Sequence, residues 1–205
     1  LEAYNQALAG GADSPLAAQV LVARGSLYER QRRHDLARQD FTQAYTLTDD
    51  PAVRARRMLA AYQAGNLGVA EADAQALLGS GVLSDAEIQL LQVRILVDEA
   101  RPTDAAAYEQ ALTLLGAADD LPDEARPLAD EYRARALYRL NRYAEALTAI
   151  NAALNAVETG SRHYLRGLIL EAQGNTEAAV REYDWVLTWS AVYPYPFLPD
   201  ARQRW

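Results

Sequence analysis

Two histidines, His34 and His163, are the side chains of this 205-residue sequence best suited to acid–base work or metal binding. They lie far apart, and neither has a second histidine at the spacing of a metal site. Cysteine is absent, which excludes disulfides, thiolate nucleophiles and cysteine-based zinc sites. No GxSxG turn or glycine-rich phosphate loop occurs. We therefore predict no catalytic, cofactor-binding or metal-binding residue.

Two pairs of aspartates could instead act as acid–base carboxylates. Asp49-Asp50 and Asp119-Asp120 each stand close to a proline, at predicted helix boundaries. Aspartate caps helices at such positions by accepting a hydrogen bond from a free backbone N–H. We predict caps, and hence no enzyme. The alternative is a piece of an α/α-barrel hydrolase. A pair of buried carboxylates with raised pKa values in one cleft would indicate such an enzyme.

Composition and charge narrow the classes of partner. The net charge is −8, and all twenty basic residues are arginine, so general affinity for a nucleic-acid backbone is not expected. Half of the residues are apolar, but no apolar run approaches the roughly 20 residues that span a bilayer. We predict no membrane insertion. The sequence opens at Leu1 inside a helical pattern, which suggests a piece of a longer protein, and it indicates no compartment.

A helix-turn-helix pattern recurs along the chain. From residue 133 to 157, two amphipathic segments flank a short break at Asn141-Arg142, so they must pack antiparallel. The pattern returns over residues 24–45 and 166–187. In all three, a small residue precedes a large one by sixteen places, which lets two helices approach closely. These pairs are Gly25 and Phe41, Ala134 and Ile150, and Gly167 and Tyr183.

The spacing of these pairs resembles the tetratricopeptide repeat (TPR) family. Equivalent second-helix positions follow one another at steps of 37, 33, 34, 42 and 33 residues, and four of these five steps lie within three residues of the family period of about 34. The resemblance implies an all-α fold, a right-handed α/α superhelix (a TPR-like solenoid) of antiparallel helix pairs with about five and a half repeats. TPR-like α/α solenoids of other families are the structural alternative. The expected repeats cover residues 16–50, 51–82, 84–117, 122–158 and 161–190.

The repeat at residues 84–117 matches the pattern poorly, and local signals define it instead. Ser84 and Glu87 form a predicted capping box, and Arg101-Pro102 ends the helix that follows. Gly79-Ser80-Gly81 is predicted to be a helix-ending loop. A helical hairpin is therefore still expected here.

The two ends of the chain depart from the repeat pattern. Residues 1–12 match the second helix of a truncated repeat, with an apolar face that needs a partner. Residues 191–205 are rich in aromatic side chains and hold three closely spaced prolines, and these prolines forbid one continuous helix. We interpret this tail as a cover over the last repeat, the alternative being an extended segment offered to a partner.

The family resemblance implies a concave groove lined by the first helices. Tyrosine and arginine are well suited to make binding hot spots there. His163 could face the same groove, whereas His34 is expected in a solvated turn. Two arginine clusters, residues 30–33 and 54–57, stand out. The second lies early in a helix, where the helix dipole disfavours positive charge, so it is the better candidate for binding an acidic partner. The candidate groove residues are Gln19, Arg30, Arg56, Tyr62, Gln63, Glu131, Tyr132, Arg135, Tyr138, Arg139 and Tyr164.

These observations predict a non-catalytic protein–protein interaction scaffold that binds a peptide or protein in its groove. One alternative is a self-association or architectural segment of a larger, bacterial-type protein, which would form a homodimer through its terminal helices. The other is an accessory helical domain of an enzyme or regulator. Recognition of a chaperone tail is not expected. Some TPR proteins clamp the terminal carboxylate of a peptide with lysine and asparagine side chains, and this chain has no lysine.

Overall fold

A computed structural model describes residues 1–9, 15–117 and 121–205, and over these ranges the chain contains twelve α-helices and no strand. The predicted all-α helical repeat fold is confirmed. None of the described helices is long and apolar enough to cross a membrane. The helices are α1 (Glu2–Ala9), α2 (Pro15–Arg30), α3 (His34–Thr48), α4 (Pro51–Gln63), α5 (Leu67–Leu77), α6 (Asp85–Glu99), α7 (Ala105–Ala117), α8 (Arg126–Arg139), α9 (Tyr143–Ala156), α10 (Gly160–Ala172), α11 (Thr176–Trp189) and α12 (Leu198–Arg204).

Four hairpin turns close through one backbone motif, although their sequences differ. After the first helix of each pair, one residue takes a positive φ, and these residues are Arg32, Gly65, Asn141 and Gly174. The next N–H then reaches back five residues, as from Arg33 to the Tyr28 carbonyl at 2.9 Å. This Schellman motif satisfies carbonyls that the helix end leaves free. It reverses the chain within three residues, so the paired helices run antiparallel.

The sixteen-residue spacing places a small residue against a large one, as predicted. A Cβ atom built on Gly25 would lie 2.7 Å from Cε1 of Phe41, and one on Gly167 would lie 2.5 Å from Cε1 of Tyr183. Both aromatic rings are buried. Glycine is therefore required at these two positions, because any side chain would occupy the space of the ring.

An ion pair of sixteen-residue spacing occurs in three hairpins, and in two of them it stands one residue before the small–large pair. Arg24 binds Asp40 at 2.7 Å, and Arg57 binds Asp73 at 2.5 Å. The third pair, Arg166 and Glu182, is 2.8 Å apart. Hydrogen bonding to the facing aspartate raises the pKa of both Arg24 and Arg57 above the ordinary arginine value. Each pair therefore links the two helices of its hairpin beside the core.

The chain forms two compact units, residues 1–95 and 96–205, and their boundary lies within α6. In the first unit, one core cluster joins α2, α3 and α4 around Phe41, and a second joins α4, α5 and α6 around Met58. In the second unit, one cluster joins α8, α9 and α10 around Ile150. Another joins α10, α11 and α12 around Tyr183.

Helix ends follow the local signals in the sequence. The Asp50 carboxylate caps α4 by accepting a hydrogen bond from the Ala52 N–H at 2.8 Å, which confirms the predicted cap. Ser84 and Glu87 form the predicted capping box at the start of α6, since each accepts a hydrogen bond from the other's backbone N–H. The other aspartate pair, Asp119-Asp120, lies outside the described residues.

The terminal segments pack unequally. No residue of α1 is buried, although Leu8 contacts the cluster around Phe41. The carboxy-terminal tail lies over the last helix pair, with Ala201 fully buried and Tyr195 and Phe197 packed against the cluster around Tyr183. A Cβ atom on Gly160 would lie 2.3 Å from Cζ of Tyr195, so the tail also sits directly on the start of α10.

Candidate functional site

A network of buried charges fixes α8 against α10 in the second unit. Glu131 and Arg162 are both 6% exposed, and the Arg162 guanidinium donates to a Glu131 carboxylate oxygen at 3.0 Å. Arg162 also donates to the carbonyls of Ala153 and Val157, at 3.0 and 2.7 Å. These carbonyls lie at the C-terminal end of α9, and the Ala153 carbonyl also accepts the Val157 N–H. Arg162 thus connects three helices.

The same network extends to the end of α6. The second oxygen of Glu131 accepts a hydrogen bond from Arg135 at 2.6 Å, and Arg135 lies 3.4 Å from Asp98. The Tyr132 hydroxyl donates to the other Asp98 oxygen at 2.8 Å. Burial lowers the pKa of Arg135, but the charges of Glu131 and its other neighbours raise it to a net value above normal. The two guanidinium and two carboxylate groups balance in charge.

A cavity of about 360 Å³, here named the second-unit pocket, opens beside this network. Its volume falls in the range of about 300–1,000 Å³ that is typical of ligand sites. Four of the predicted groove residues line it, namely Arg135, Tyr138, Arg139 and Tyr164. The remaining lining residues are Val97, Asp98, Ala100, Tyr108, Ser161, Leu165, Leu168 and Phe197.

Two donor groups in this pocket are unused within the described part of the chain. Arg139 is exposed, and its guanidinium lies 5.9 Å from the Tyr138 ring centroid without any carboxylate partner among the described residues. The half-buried Tyr138 packs its ring near that of Tyr143, and its hydroxyl has no hydrogen-bond partner in the same described ranges. Arginine and tyrosine donors of this kind bind anions and carbonyl oxygens.

The tail supplies one wall of the second-unit pocket. Phe197 lines the pocket and stacks on Tyr164, with ring centroids 4.5 Å apart. The Tyr164 hydroxyl donates to Asp200 at 2.5 Å, and Arg204 binds both Asp200 and Glu171, at 2.6 and 2.8 Å. Burial and the bond to Asp200 raise the pKa of Tyr164 to about 12. These contacts hold α12 against α10.

The other predicted groove residues lie elsewhere. Glu131 and Tyr132 are buried in the network rather than in the pocket lining. Gln19 and Arg56 line a different cavity of about 620 Å³ between α2 and α4, here named the first-unit pocket. Its other lining residues are Ala18, Val22, Ala23, Ser26, Thr48, Asp50, Ala52 and Val53.

Three further candidates line neither of these two cavities. Arg30 and Gln63 are exposed at the ends of their helices. Tyr62 packs against the cluster around Met58, and the Arg94 guanidinium lies 4.4 Å from its ring centroid. The structure therefore distributes the eleven predicted residues over several surfaces and brings four of them into one pocket.

The second arginine cluster is largely occupied within the chain. Arg57 binds Asp73, and the Arg54 guanidinium lies 4.6 Å from the Tyr45 ring centroid. The prediction that this cluster favours an acidic partner is wrong for Arg57, because its charge is already compensated by a nearly buried carboxylate. Arg56 donates to the Ser26 hydroxyl at 2.5 Å.

His163 packs inside the second unit. The prediction that His163 faces a groove is wrong, since its ring is only 4% exposed and stacks on Trp185 at 3.9 Å. Its Nδ1 lies 2.8 Å from Glu182. Burial raises the pKa of Glu182, but hydrogen bonds from His163 and Arg166 outweigh it and hold the pKa below the ordinary value. His34 is half-buried at the first residue of α3.

Sequence reasoning missed residues of the second-unit pocket and of the buried network beside it. Asp98 belongs to the repeat that matches the pattern poorly, so its phase was not readable. Phe197 lies in the tail, beyond the repeat pattern. Arg162 stands among apolar positions at the start of α10, and a charged residue in that phase, with Glu131 one repeat earlier, is the signal that could have revealed the network.

Comparison with known proteins follows the repeat pattern. The family model described as a tetratricopeptide repeat matches residues 1–52 and 133–187, which is more than half of the chain. The chain belongs to the tetratricopeptide repeat family. The matched ranges include the hairpins with Gly25 and Gly167, and the predicted TPR resemblance is confirmed. No curated protein sequence matches significantly.

Solved TPR structures share the fold at low sequence identity. A tetratricopeptide repeat protein from Parabacteroides merdae is 20% identical, with a TM-score of 0.66 over 98% of this chain and 74% of that one. A thermophilic TPR protein from Thermus thermophilus is 18% identical, with a TM-score of 0.65 over 92% and 96%. YrrB, described as a TPR protein with an unusual peptide-binding site, is 16% identical, with a TM-score of 0.62 over 99% and 98%.

Membership of the TPR family indicates a general type of function. TPR domains are protein-interaction scaffolds, and the family is generally non-catalytic. The described residues contain no group of three or more histidine or acidic side chains that could hold a metal ion.

Proposed function

We propose that this TPR protein binds a peptide segment of a partner protein in the second-unit pocket and catalyses no reaction. The observation that carries the proposal is the convergence of Arg135, Tyr138, Arg139 and Tyr164 on one cavity of about 360 Å³. The similarity to YrrB, whose description names a peptide-binding site, supports it.

The lining of the pocket suits a peptide better than a polar metabolite. Leu165, Leu168 and Phe197 offer an apolar surface for one or two side chains, and burial of such side chains drives binding. The tyrosines present flat, stiff surfaces that lose little conformational entropy on contact. The buried network around Glu131 holds α8 and α10 in place, so the site is formed before the ligand arrives.

Selection from a phage library of random heptapeptides, with the full 205-residue chain as bait, tests this proposal. We expect enriched peptides whose binding is abolished by Leu168→Trp, because the larger side chain fills the pocket. The matched control is Leu59→Trp on α4, where the leucine is already 40% exposed and lines neither pocket. Peptides that bind both variants equally, or a selection without enrichment, would exclude the second-unit pocket as a peptide site.

Self-association is a second candidate, favoured by exposed apolar side chains near both ends. Trp189 and Tyr193 are 45% and 54% exposed, and Leu16 near the other end is 67% exposed. Such side chains gain free energy when a second copy covers them. Light scattering over a wide range of protein concentrations measures this. A mass that rises with concentration and returns to the monomer value in Trp189→Ser supports it, and a constant monomer mass contradicts it.

A further inference from the structure

The charges of the second-unit pocket point to the class of peptide that it binds. Three lining residues are charged, namely Asp98, Arg135 and Arg139, and they leave a net positive charge in a chain whose total is −8. Arg135 and Asp98 already contact each other, and Glu131 takes a second hydrogen bond from Arg135. The remaining positive charge is that of Arg139.

The unused donors lie together at one side of the pocket. Arg139 and Tyr138 are neighbours in the last turn of α8, and both line the cavity. Neither the Arg139 guanidinium nor the Tyr138 hydroxyl has an acceptor within the described ranges. A carboxylate can accept hydrogen bonds from both groups at once, and charge-assisted bonds of this kind are roughly twice as strong as neutral ones.

The rest of the lining is apolar and lies within reach of the same ligand. Leu165 and Leu168 come from the next first helix, α10, and Phe197 comes from the tail. Phe197 is fixed by stacking on Tyr164, so this surface is already formed. An apolar side chain beside the carboxylate would therefore find a preformed surface and cost little ordering.

We infer that the second-unit pocket binds a peptide with an aspartate or glutamate side chain next to an apolar residue. The carboxylate contacts Arg139 and Tyr138, and the apolar side chain contacts Leu165, Leu168 and Phe197. This inference rests on the proposed peptide-binding function. A side-chain carboxylate is preferred over a chain end because Arg139 is exposed at the rim, where a peptide that continues in both directions can reach it.

The random-heptapeptide phage library distinguishes this inference from the proposed function. The displayed peptides continue into the coat protein, so only side chains supply carboxylates. Among clones that Leu168→Trp no longer binds, we expect enrichment of Asp or Glu adjacent to Leu, Ile, Val, Phe or Tyr. Selection on Arg139→Gln should still return clones sensitive to Leu168→Trp, but without the acidic enrichment.

Arg202→Gln is the matched control, since it removes the same charge from an exposed arginine of α12 outside the pocket. It should keep the acidic enrichment. A synthetic, amidated copy of the best clone should bind about tenfold less well when its acidic residue becomes the corresponding amide. That difference should shrink to less than about threefold on Arg139→Gln, because the charge-assisted bond is gone.

Three results would overturn the inference. Sensitive clones without acidic enrichment would leave the proposed function standing and exclude an acidic ligand. Acidic enrichment that survives Arg139→Gln would assign the carboxylate to another group. A library that yields no clone sensitive to Leu168→Trp removes the proposed function, and the inference with it.

Discussion

The two pockets of this TPR chain differ in their lining far more than in the backbone that forms them. The first-unit pocket is lined mainly by small side chains, and its arginine, Arg56, already donates to Ser26. The second-unit pocket is lined by three tyrosines and a phenylalanine, and Arg139 is unpaired within the described part of the chain. Both lie among hairpins that share the Schellman turn and the ion pair at the same spacing.

This difference separates what the repeat needs for folding from what a site needs for binding. The turn, the small–large contact and the ion pair recur because they satisfy backbone groups and exclude voids. The Arg139 guanidinium and the Tyr138 hydroxyl, which line the second-unit pocket, take part in none of these three contacts. In the second unit, buried charges also hold the helices that form the pocket. In the first unit, the ion pairs Arg24–Asp40 and Arg57–Asp73 each lie between the two helices of one hairpin.

The largest expected effect is on the buried network of the second unit. Glu131→Gln should lower the free energy of unfolding of that unit by about 3–5 kcal/mol, because Arg162 is left buried without its counter-charge. In the first unit, Asp40→Asn should cost less, about 2 kcal/mol, because Arg24 is 17% exposed and keeps its bond to Asn5. Urea unfolding measures both, with hydrogen exchange to locate each loss in its unit.

Tryptophan fluorescence reports the second unit alone, because all three tryptophans, Trp185, Trp189 and Trp205, lie in it. The control for Glu131→Gln is Asp130→Asn, whose partner is the partly exposed Arg133, so less than about 1 kcal/mol is expected. Equal losses for Asp130→Asn and Glu131→Gln would contradict a special role for the buried network.

The next effect compares equivalent glycines of the two units. Gly167→Ala should cost about 3 kcal/mol and Gly25→Ala about 2 kcal/mol, because each new Cβ overlaps a buried aromatic ring. The second unit should lose more, since the Tyr183 ring is held by its hydroxyl bond to Glu171 at 2.8 Å and cannot turn away. The same unfolding experiments measure this difference.

Gly68→Ala is the control for both glycine substitutions. Gly68 lies in α5 with no atom within 4 Å of its built Cβ, so alanine should leave stability unchanged or raise it slightly. A larger loss for Gly25→Ala than for Gly167→Ala would show that the tyrosine ring adapts more easily than the geometry indicates.

The fold was largely predictable because it depends on local rules. The sixteen-residue spacing, the aspartate cap of α4 and the capping box of α6 each act over a short stretch of sequence, and each was confirmed. The Arg–acid pair obeys the same spacing and was visible in the sequence, but it was not recognised, because polar residues of a helical repeat are normally assigned to the solvent face.

The pocket was less predictable because it depends on contacts between repeats. Helical phase alone identified Arg135, Tyr138, Arg139 and Tyr164, which line it. Phase could not show that Glu131 turns inward, since its burial depends on Arg162 one repeat later. Nor could it place Phe197, whose position follows from stacking between the tail and α10.

The ion pair of the last hairpin, Arg166 with Glu182, should contribute to stability in a pH-dependent way. Glu182 has a folded-state pKa below its ordinary value of 4.5, so its contribution to stability is present above that pH and is lost as the pH falls through the lower, folded-state value. Glu182→Gln should therefore cost about 2 kcal/mol at neutral pH, and progressively less below about pH 4.5. Urea titrations followed by tryptophan fluorescence at several pH values measure it. A cost that does not change with pH would contradict this account.

The smallest expected effect concerns the carboxy-terminal tail. The tail forms one wall of the second-unit pocket, and the first-unit pocket has no such wall. Asp200→Ala removes the acceptor of Tyr164 and one partner of Arg204, so α12 should open more often while the rest of the second unit stays folded. Limited trypsin digestion measures this opening as cleavage after Arg202 or Arg204. A decrease of about 1 kcal/mol in the free energy of opening α12 should raise the cleavage rate about fivefold, because cleavage tracks the population of the open form.

Two matched variants make the tail experiment decisive. Asp184→Ala removes the same charge from an exposed position of α11 and should leave cleavage unchanged. Tyr164→Phe keeps the stacking on Phe197 but removes the hydroxyl bond, so it should accelerate cleavage as Asp200→Ala does. If Tyr164→Phe had no effect while Asp200→Ala did, the tail would be held through Arg204 alone. The wall of the second-unit pocket would then be independent of Tyr164, the residue that the pocket and the tail share.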